Sequence, residues 1–247
     1  MRRLQVFDDL ESLSRVAADG LAGQIREAVA ARGRCALGLT GGRTPRRMYE
    51  LLAERHREAI PWGRVDLFWG DERYVPYDHP QSNYRMAKAA LLDRVPVPSA
   101  NVHPMPTDHP EPSTAARSYE ELLRGYFRGR PAAFDVLLLG LAANGHVASL
   151  FPHQPVLRER TRWVVAVDVP ADPPRRLTIT YPLINQAHQV AFLVAGSTKA
   201  GAVQRALRAD GDVDEAPAAG VAPAPGDVTW WLDRQAAALV GPEKGGV

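Results

Sequence analysis

Cysteine is almost absent from this sequence, and so are long apolar segments. The single cysteine, Cys35, excludes an internal disulfide, and its place in an apolar run predicts a buried thiol. No run of about 18 apolar residues occurs, and no apolar stretch follows the two arginines near the start. We therefore expect a cytoplasmic protein without a membrane segment.

A large charge imbalance and several ligand motifs are also missing. Thirty Lys and Arg against twenty-eight Asp and Glu leave a formal net charge of +2, too small for the footprint of a nucleic-acid-binding protein. The dinucleotide motif G-x-G-x-x-G and the P-loop motif G-x-x-x-x-G-K-[ST] are absent, which counts against NAD and ATP. His146 and His153 lack a third ligand residue nearby, so no zinc site is expected.

The sequence does contain enough apolar residues for a substantial core. It has 247 residues, of which 45% are hydrophobic, and we expect residues 1–247 to form a single domain. Short apolar runs alternate with helical patterns, which predicts an α/β fold with a doubly wound, mostly parallel Rossmann-like sheet flanked by helices. The predicted strands are 4–7, 35–40, 65–69, 134–139, 162–167, 177–180 and 190–194, and the predicted helices are 10–32, 44–57, 82–92, 114–127, 198–209 and 232–239.

Two segments do not fit this alternation. Residues 95–112 contain six prolines and should cross the surface without regular structure. Residues 210–227 are rich in Ala, Pro, Gly and Asp, which predicts a flexible connection before the last strand and helix.

The string T-G-G-R-T-P at residues 40–45 lies between a predicted strand and a predicted helix. Glycines there let the backbone approach a ligand, and the free N–H groups of a helix start favour an anion. The same letters also suit an ordinary helix start, with Thr44 as the N-cap and Pro45 as the first helical residue. Anion binding and a structural turn are thus both open.

Charged residues follow the other predicted strands. Asp71, Glu72 and Arg73 come after strand 65–69; a solvated loop with local ion pairs would explain them, but their place at a strand's carboxyl end favours a site. Lys199 lies at a strand-to-helix turn where an ammonium could reach a phosphate. The pair Arg175-Arg176 precedes the predicted strand 177–180 and is a similar case. Lys199 and this pair could equally face water.

His146 follows the strand 134–139 in a glycine-containing turn. An imidazole titrates near neutral pH, and a loop at the end of a buried strand would position it as a general base. A lone histidine is more often a surface or core residue, so the flanking pattern carries the prediction. Ser149 lacks the G-x-S-x-G context of a nucleophile and is interpreted as structural.

Taken in order, these motifs resemble the 6-phosphogluconolactonase branch of the glucosamine/galactosamine-6-phosphate isomerase family over nearly the whole chain. The matching strings are L-T-G-G-R-T-P at 39–45, G-D-E-R at 70–73, S-N-Y at 82–84, G-H-V-A-S-L-F-P at 145–152, R-L-T at 176–178 and G-S-T-K-A at 196–200. The string G-H-x-A-S-L-F-P is quite specific to the lactonases. The resemblance implies hydrolysis of 6-phospho-D-glucono-1,5-lactone to 6-phosphogluconate in the oxidative pentose phosphate pathway, with no metal and no organic cofactor.

The resemblance also implies roles for individual residues. His146 would act as the general base on water, with Asn144 beside it, and Asp71 would orient the imidazole or the substrate. The implied phosphate-binding set is Gly41, Gly42, Arg43, Thr44, Arg73 and Lys199, with Arg176 contributing further positive charge. The expected partner is a small sugar phosphate, bound by a monomer or a small homo-oligomer, with no nucleic acid and no membrane.

Two residues depart from the family turn G-x-G-x-D-G-H. Asn144 replaces the aspartate and lacks the negative charge that would raise the pKa of His146. Ala142 replaces a glycine and would restrict the backbone if that position requires a positive φ. These departures leave open a sugar-phosphate-binding protein with impaired catalysis.

A second alternative is an amino-sugar-phosphate deaminase/isomerase, which needs an acid to help open the sugar ring. Such enzymes resemble G-H-I-A-F-N-E-P at this string, whereas no carboxylate lies between His146 and Glu159 here. A purely structural interpretation would require several unrelated polar groups to meet at one sheet edge by chance.

Overall fold

A seven-stranded sheet forms the centre of the computed structural model, which describes residues 2–129, 134–208, 210–224 and 226–241. Its strands are β1 (Arg2–Phe7), β2 (Cys35–Leu39), β3 (Val65–Trp69), β5 (Val102–His103), β6 (Val136–Gly140), β9 (Gln189–Val194) and β10 (Asp227–Asp233). Their order in the sheet is β1-β10-β9-β6-β2-β3-β5, and every neighbouring pair is parallel. The predicted α/β fold with a mostly parallel sheet is confirmed.

Helices flank this sheet and cover its apolar strands. They are α1 (Leu10–Arg32), α2 (Arg43–His56), α3 (Asn83–Ala90), α4 (Pro112–Tyr126), α5 (Tyr181–Ile184) and α6 (Ala200–Leu207). All residues of β2 and β3 are buried, as expected of parallel strands with both faces covered. Helix α1 begins at a capping box between Asp9 and Ser12 and ends at Gly33, whose φ is 77°. No helix of the described ranges is both long enough and apolar enough to span a bilayer.

A second, antiparallel sheet was not anticipated. It has three strands in the order β4-β8-β7, namely β4 (Asp71–Arg73), β8 (Arg175–Ile179) and β7 (Val164–Asp168). Asp71 pairs with Thr178, and Arg73 pairs with Arg176. Because side chains two residues apart share one face of a strand, Asp71 and Arg73 lie on the same face.

Three predicted segments were wrong. Residues 232–239 do not form a helix, because Leu232 continues strand β10 between β1 and β9 and turns follow it. Residues 95–112 are not wholly irregular, since Val102–His103 extends the sheet beside β3. The described part of 210–227 is packed rather than a flexible connection: Ala216, Pro217 and Ala218 are buried in it. The predicted helix 198–209 starts later, at Ala200, and residue 209 lies outside the described residues.

Candidate active site

The carboxyl ends of four neighbouring strands, β9, β6, β2 and β3, meet at one edge of the large sheet. A pocket of about 220 Å³ opens there, where parallel α/β sheets bind ligands. Its volume suits one small polar molecule, since pockets for larger ligands measure roughly 300 to 1,000 Å³. The lining residues are Thr40, Gly41, Gly42, Asp71, Arg73, Asn83, Gly140, Leu141, Ala142, His146, Ala148, Arg176 and Lys199.

The loop that carries His146 is held by backbone hydrogen bonds. The Gly145 N–H donates to the Ala142 carbonyl at 2.9 Å, and the Ala142 N–H donates to the His146 carbonyl at 3.1 Å. Gly145 has a φ of 92°, and a Cβ added to it would lie 3.1 Å from Ala216 Cα. Only glycine fits this position without strain. Ala142 does not adopt a positive φ, so the expected strain there is absent.

The imidazole of His146 is fixed on two sides. Its Nδ1 lies 2.8 Å from Asn144 Oδ1, and its ring stacks on Phe151 with centroids 3.8 Å apart. Asn144 Oδ1 also accepts the backbone N–H of His146, which identifies that atom as the amide oxygen. An amide oxygen only accepts, so we assign the proton to Nδ1 and the free lone pair to Nε2.

Burial and nearby cations keep this imidazole neutral. Burial is the main cause that lowers the pKa of His146 to about 3, followed by the positive charges of Arg176, Lys199 and Arg73. Both effects disfavour the imidazolium. A base must be unprotonated before it reacts, and His146 meets that requirement at neutral pH.

Three cations line the same pocket as the imidazole. Arg176 is 6% exposed, and burial together with the charge of Arg73 lowers its pKa. Burial and the charge of Arg43 likewise lower the pKa of Lys199. Arg73 donates from Nη1 to the Gln81 carbonyl, but its buried Nε has no hydrogen-bond partner among the described residues. Cations held this close together are suited to an anion with several oxygens.

The turn after β2 brings backbone N–H groups to the pocket. Gly42, with a φ of 114°, is the N-cap of the 14-residue helix α2, so the prediction of Thr44 as N-cap and Pro45 as first helical residue was wrong. A Cβ on Gly41 would lie 1.9 Å from Asn83 Oδ1, so a side chain there would displace Asn83, which bonds to the Asp71 carbonyl. Free N–H groups at a helix start favour an anion. Arg43 is exposed and Thr44 half-buried, and the pocket lining within the described residues includes neither.

Asp71 lines the pocket, but its hydrogen bonds go to Ser149 and Asn83 and not to the imidazole of His146. Ser149 Oγ donates to Asp71 Oδ2 at 2.7 Å, and Asn83 Nδ2 donates to the Asp71 carbonyl at 2.9 Å. Among the described residues no hydrogen bond joins Asp71 to His146, whose Nδ1 bonds to Asn144 instead. Of the two roles predicted for Asp71, orientation of the imidazole is therefore not supported, and orientation of the substrate remains.

The sequence indicated no individual role at this site for three buried polar residues, Glu72, Asn83 and Ser149. Glu72, which is 1% exposed, accepts the backbone N–H groups of Arg73, Asn83 and Tyr84, and burial raises its pKa. It thereby fixes the start of α3 beside the pocket. Asn83 and Ser149 belong to strings recognised in the sequence, but their partner, Asp71, is distant in the chain. Within the described ranges, no three His, Cys, Asp or Glu side chains are grouped as metal ligands.

The sequence model of the family described as glucosamine-6-phosphate isomerases/6-phosphogluconolactonase matches residues 8–230. The chain belongs to this family. A 6-phosphogluconolactonase of Synechocystis sp. is 46% identical over 216 residues, which cover 86% of this chain and 88% of the relative. A 6-phosphogluconolactonase of Mycobacterium tuberculosis is 43% identical over 242 residues, or 95% of this chain and 97% of the relative.

Solved structures of the family share the fold. The 6-phosphogluconolactonase of Trypanosoma brucei superimposes with a TM-score of 0.86 at 27% identity, covering 98% of this chain and 99% of that one. A monomeric glucosamine-6-phosphate deaminase superimposes with a TM-score of 0.81 at 24% identity, covering 96% of this chain and 99% of that one. A lactonase and a deaminase thus share this fold, so the fold alone does not determine the activity.

Proposed function

We propose that this chain hydrolyses 6-phospho-D-glucono-1,5-lactone to 6-phosphogluconate, a reaction of the oxidative pentose phosphate pathway. One observation carries the proposal: a neutral imidazole and three cations line a single pocket of about 220 Å³. The names of the curated relatives support the same reaction. A phosphorylated lactone matches both halves of this pocket, since it joins a hydrolysable ester to a remote dianion.

In the proposed mechanism His146 acts on water. Nε2 takes a proton as the water oxygen attacks the lactone carbonyl carbon, which becomes tetrahedral. The bond from that carbon to the ring oxygen then breaks, and the imidazolium returns its proton to the departing oxygen. The hydrogen bond from Nδ1 to Asn144 keeps the imidazole in the reactive tautomer through both steps.

The cations hold the other end of the substrate. Arg73, Arg176 and Lys199 would bind the phosphate together with the N–H groups of Gly41 and Gly42. Fixing the phosphate also fixes the lactone carbon relative to the imidazole, which lowers the entropic part of the barrier. Outside the pocket lining, Arg43 and Thr44 would act at its rim.

The rival deaminase activity finds less support in the pocket. Asp71 is the one carboxylate residue in the lining formed by the described residues, and it is already held by Ser149. Glu159, the next acid along the chain after His146, bonds to Arg162 and lines other cavities. A free acid suited to opening an amino-sugar ring is therefore missing from the described lining.

The proposed activity is tested by initial rates of the purified protein on 6-phospho-D-glucono-1,5-lactone. The rate must be compared with spontaneous hydrolysis, and glucosamine-6-phosphate serves as the control substrate. We expect lactone turnover well above the background and no release of ammonia. Thermal stabilisation by 6-phosphogluconate without turnover would instead favour a sugar-phosphate-binding protein with impaired catalysis.

The acid limb of the activity should depend on phosphate binding. In the free protein the low pKa of His146, about 3, leaves the base neutral. Protonation of the substrate phosphate, whose second pKa is about 6, lowers kcat/KM first. After correction for that protonation, kcat/KM should not fall until the pH approaches the pKa of His146. A bound phosphate dianion compensates the charges of Arg176, Lys199 and Arg73, which raises the pKa of His146. The acid limb of kcat should therefore lie at higher pH than that of the corrected kcat/KM.

This shift can be measured directly by NMR titration of the His146 ring with and without inorganic phosphate. The resonance is assigned by its loss in His146→Gln. A higher pKa in the presence of phosphate is expected. An unchanged or lower pKa would contradict the arrangement of the three cations around the imidazole.

Asn144 should affect both the rate and the pKa of the base. Asn144→Ala removes the acceptor for Nδ1, so the ring loses its fixed tautomer, and kcat should fall about 10-fold, the net value of one hydrogen bond. The matched variant Asn144→Asp places a negative charge at that position, which should raise the pKa of His146. Equal pH profiles of kcat/KM for Asn144→Asp and wild type would contradict the assigned contact.

A further inference from the structure

Ser149 joins the His146 loop to both partners of one strand pair. Its backbone N–H donates to Thr178 Oγ1 at 3.1 Å, and its Oγ donates to Asp71 Oδ2 at 2.7 Å. Asp71 on β4 and Thr178 on β8 are direct register partners. One side chain and one backbone group of a single residue therefore attach the loop to the small sheet.

The next register pair on the same face of that sheet is made of two of the proposed phosphate-binding cations, since Glu72 and Leu177 pair between them and face the other side. Arg73 pairs with Arg176, two residues from Asp71 and Thr178 respectively. Ser149 lies three residues after His146 in the loop. The contacts of Ser149 thus fix the distance between His146, which lies in the loop, and the two arginines, which lie in the small sheet. Among the described residues no backbone hydrogen bond joins that loop to the small sheet.

The same contact determines what Asp71 can do. Ser149 occupies Oδ2, and Asn83 Nδ2 approaches Oδ1 at 3.3 Å. Each carboxylate oxygen has two lone pairs, so Asp71 keeps acceptor capacity toward the pocket that it lines. A carboxylate repels a phosphate, and its natural partner on a sugar phosphate is a hydroxyl group.

We propose that Ser149 is a positioning residue: its hydroxyl orients Asp71 to accept a substrate hydroxyl, and its two hydrogen bonds hold His146 in register with Arg73 and Arg176. The inference rests on the proposed lactonase function for its kinetic readout. The G-H-x-A-S-L-F-P string therefore contributes a second functional side chain besides the histidine, where the sequence alone indicated a structural serine.

The chain contains a matched control for this role. Ser14 in α1 is 0% exposed, and its Oγ has no hydrogen-bond partner in the part of the chain that the structure describes, whereas Ser149 is 1% exposed and bonded. Ser14→Ala therefore removes a buried hydroxyl group without breaking a hydrogen bond to a described residue. A difference between Ser14→Ala and Ser149→Ala therefore reports the contact with Asp71 and not the loss of a buried oxygen.

The test is a double-mutant cycle with Ser149→Ala and Asp71→Ala. We expect Ser149→Ala to lower kcat/KM for the lactone about 10- to 100-fold, as loss of a residue that orients a reacting group does. Inhibition by inorganic phosphate should change less than about 2-fold, because the cations remain. Adding Ser149→Ala to Asp71→Ala should lower kcat/KM less than adding it to wild type, because the two residues act together.

Fully additive effects, or a Ser149→Ala loss no larger than that of Ser14→Ala, would overturn the proposal. Thermal unfolding checks that each variant is folded, and Ser149→Cys, with a weaker donor of similar size, replaces Ser149→Ala if the alanine variant is not. The cycle is repeated on the affinity for 6-phosphogluconate measured by calorimetry. If the wild type lacks lactone turnover, the proposed function fails, while non-additive binding would still support the Ser149–Asp71 contact.

Discussion

His146→Ala is expected to lower kcat for lactone hydrolysis about 10²- to 10⁴-fold, the usual contribution of a general base. His146 is the histidine that lines the pocket within the described residues. Its Nδ1 bonds to Asn144, which leaves the lone pair of Nε2 available to accept a proton. The affinity for 6-phosphogluconate should change little, because in the proposed mechanism other side chains hold the phosphate. The measurement is steady-state kinetics corrected for spontaneous hydrolysis, together with calorimetry of product binding.

His153→Ala provides the matched control, because His153 is an exposed histidine of the same loop region. It pairs with Glu215 at 3.5 Å and does not line the described pocket. We expect its kcat to remain within about 2-fold of wild type, as for other surface substitutions. Comparable turnover in His146→Ala and wild type would remove His146 from the mechanism.

Arg176→Ala and Lys199→Ala should each raise KM for the lactone about 10- to 100-fold. Hydrogen bonds to a charged group contribute about 1.5 to 3 kcal/mol, and the proposed function assigns these two cations to the phosphate. Both variants should also lose much of the preference for the phosphorylated lactone over glucono-1,5-lactone. Steady-state kinetics on the two lactones measures this preference as a ratio of kcat/KM values.

The neighbouring arginine gives a close control for this prediction. Arg175 precedes Arg176 on β8, and its side chain is 68% exposed, opposite Asp168 at 4.0 Å. Successive residues of a strand point to opposite faces, so Arg175→Ala should leave KM nearly unchanged. If Arg175→Ala raised KM as much as Arg176→Ala, the effect would come from net charge and not from a phosphate contact.

Most residues of the site could be predicted from the sequence, because the ends of the strands determine which loops lie close together. Residues 40–42, Asp71 and His146 all follow predicted strands, and the carboxyl ends of parallel strands lie at one edge. Their presence in one pocket follows from that rule. The contacts of Ser149 and Asn83 could not be found this way, because each bonds to Asp71 from a different element, and Ser149 lies 78 residues from Asp71 in the chain.

The missed structural elements have similar causes. Strand β4 is only three residues long and reads Asp-Glu-Arg, so it lacks any apolar alternation; pairing with β8 creates it. In strand β10, the apolar residues Trp230, Trp231 and Leu232 are compatible with a helix or a strand. Pairing with β1 and β9 on both sides decides for the strand, and no local pattern contains that information.

A crystal structure of the protein with 6-phosphogluconate tests the central claim most directly, because it shows whether one molecule contacts both the cations and the base. We predict the phosphate within hydrogen-bonding distance, about 3 Å, of Lys199, Arg176 and the Gly41–Gly42 turn. The carboxylate formed from the lactone carbonyl should lie within reach of His146 Nε2, directly or through one water. Product bound in another cavity, or with its phosphate on the imidazole and its carboxylate on the cations, would contradict the account.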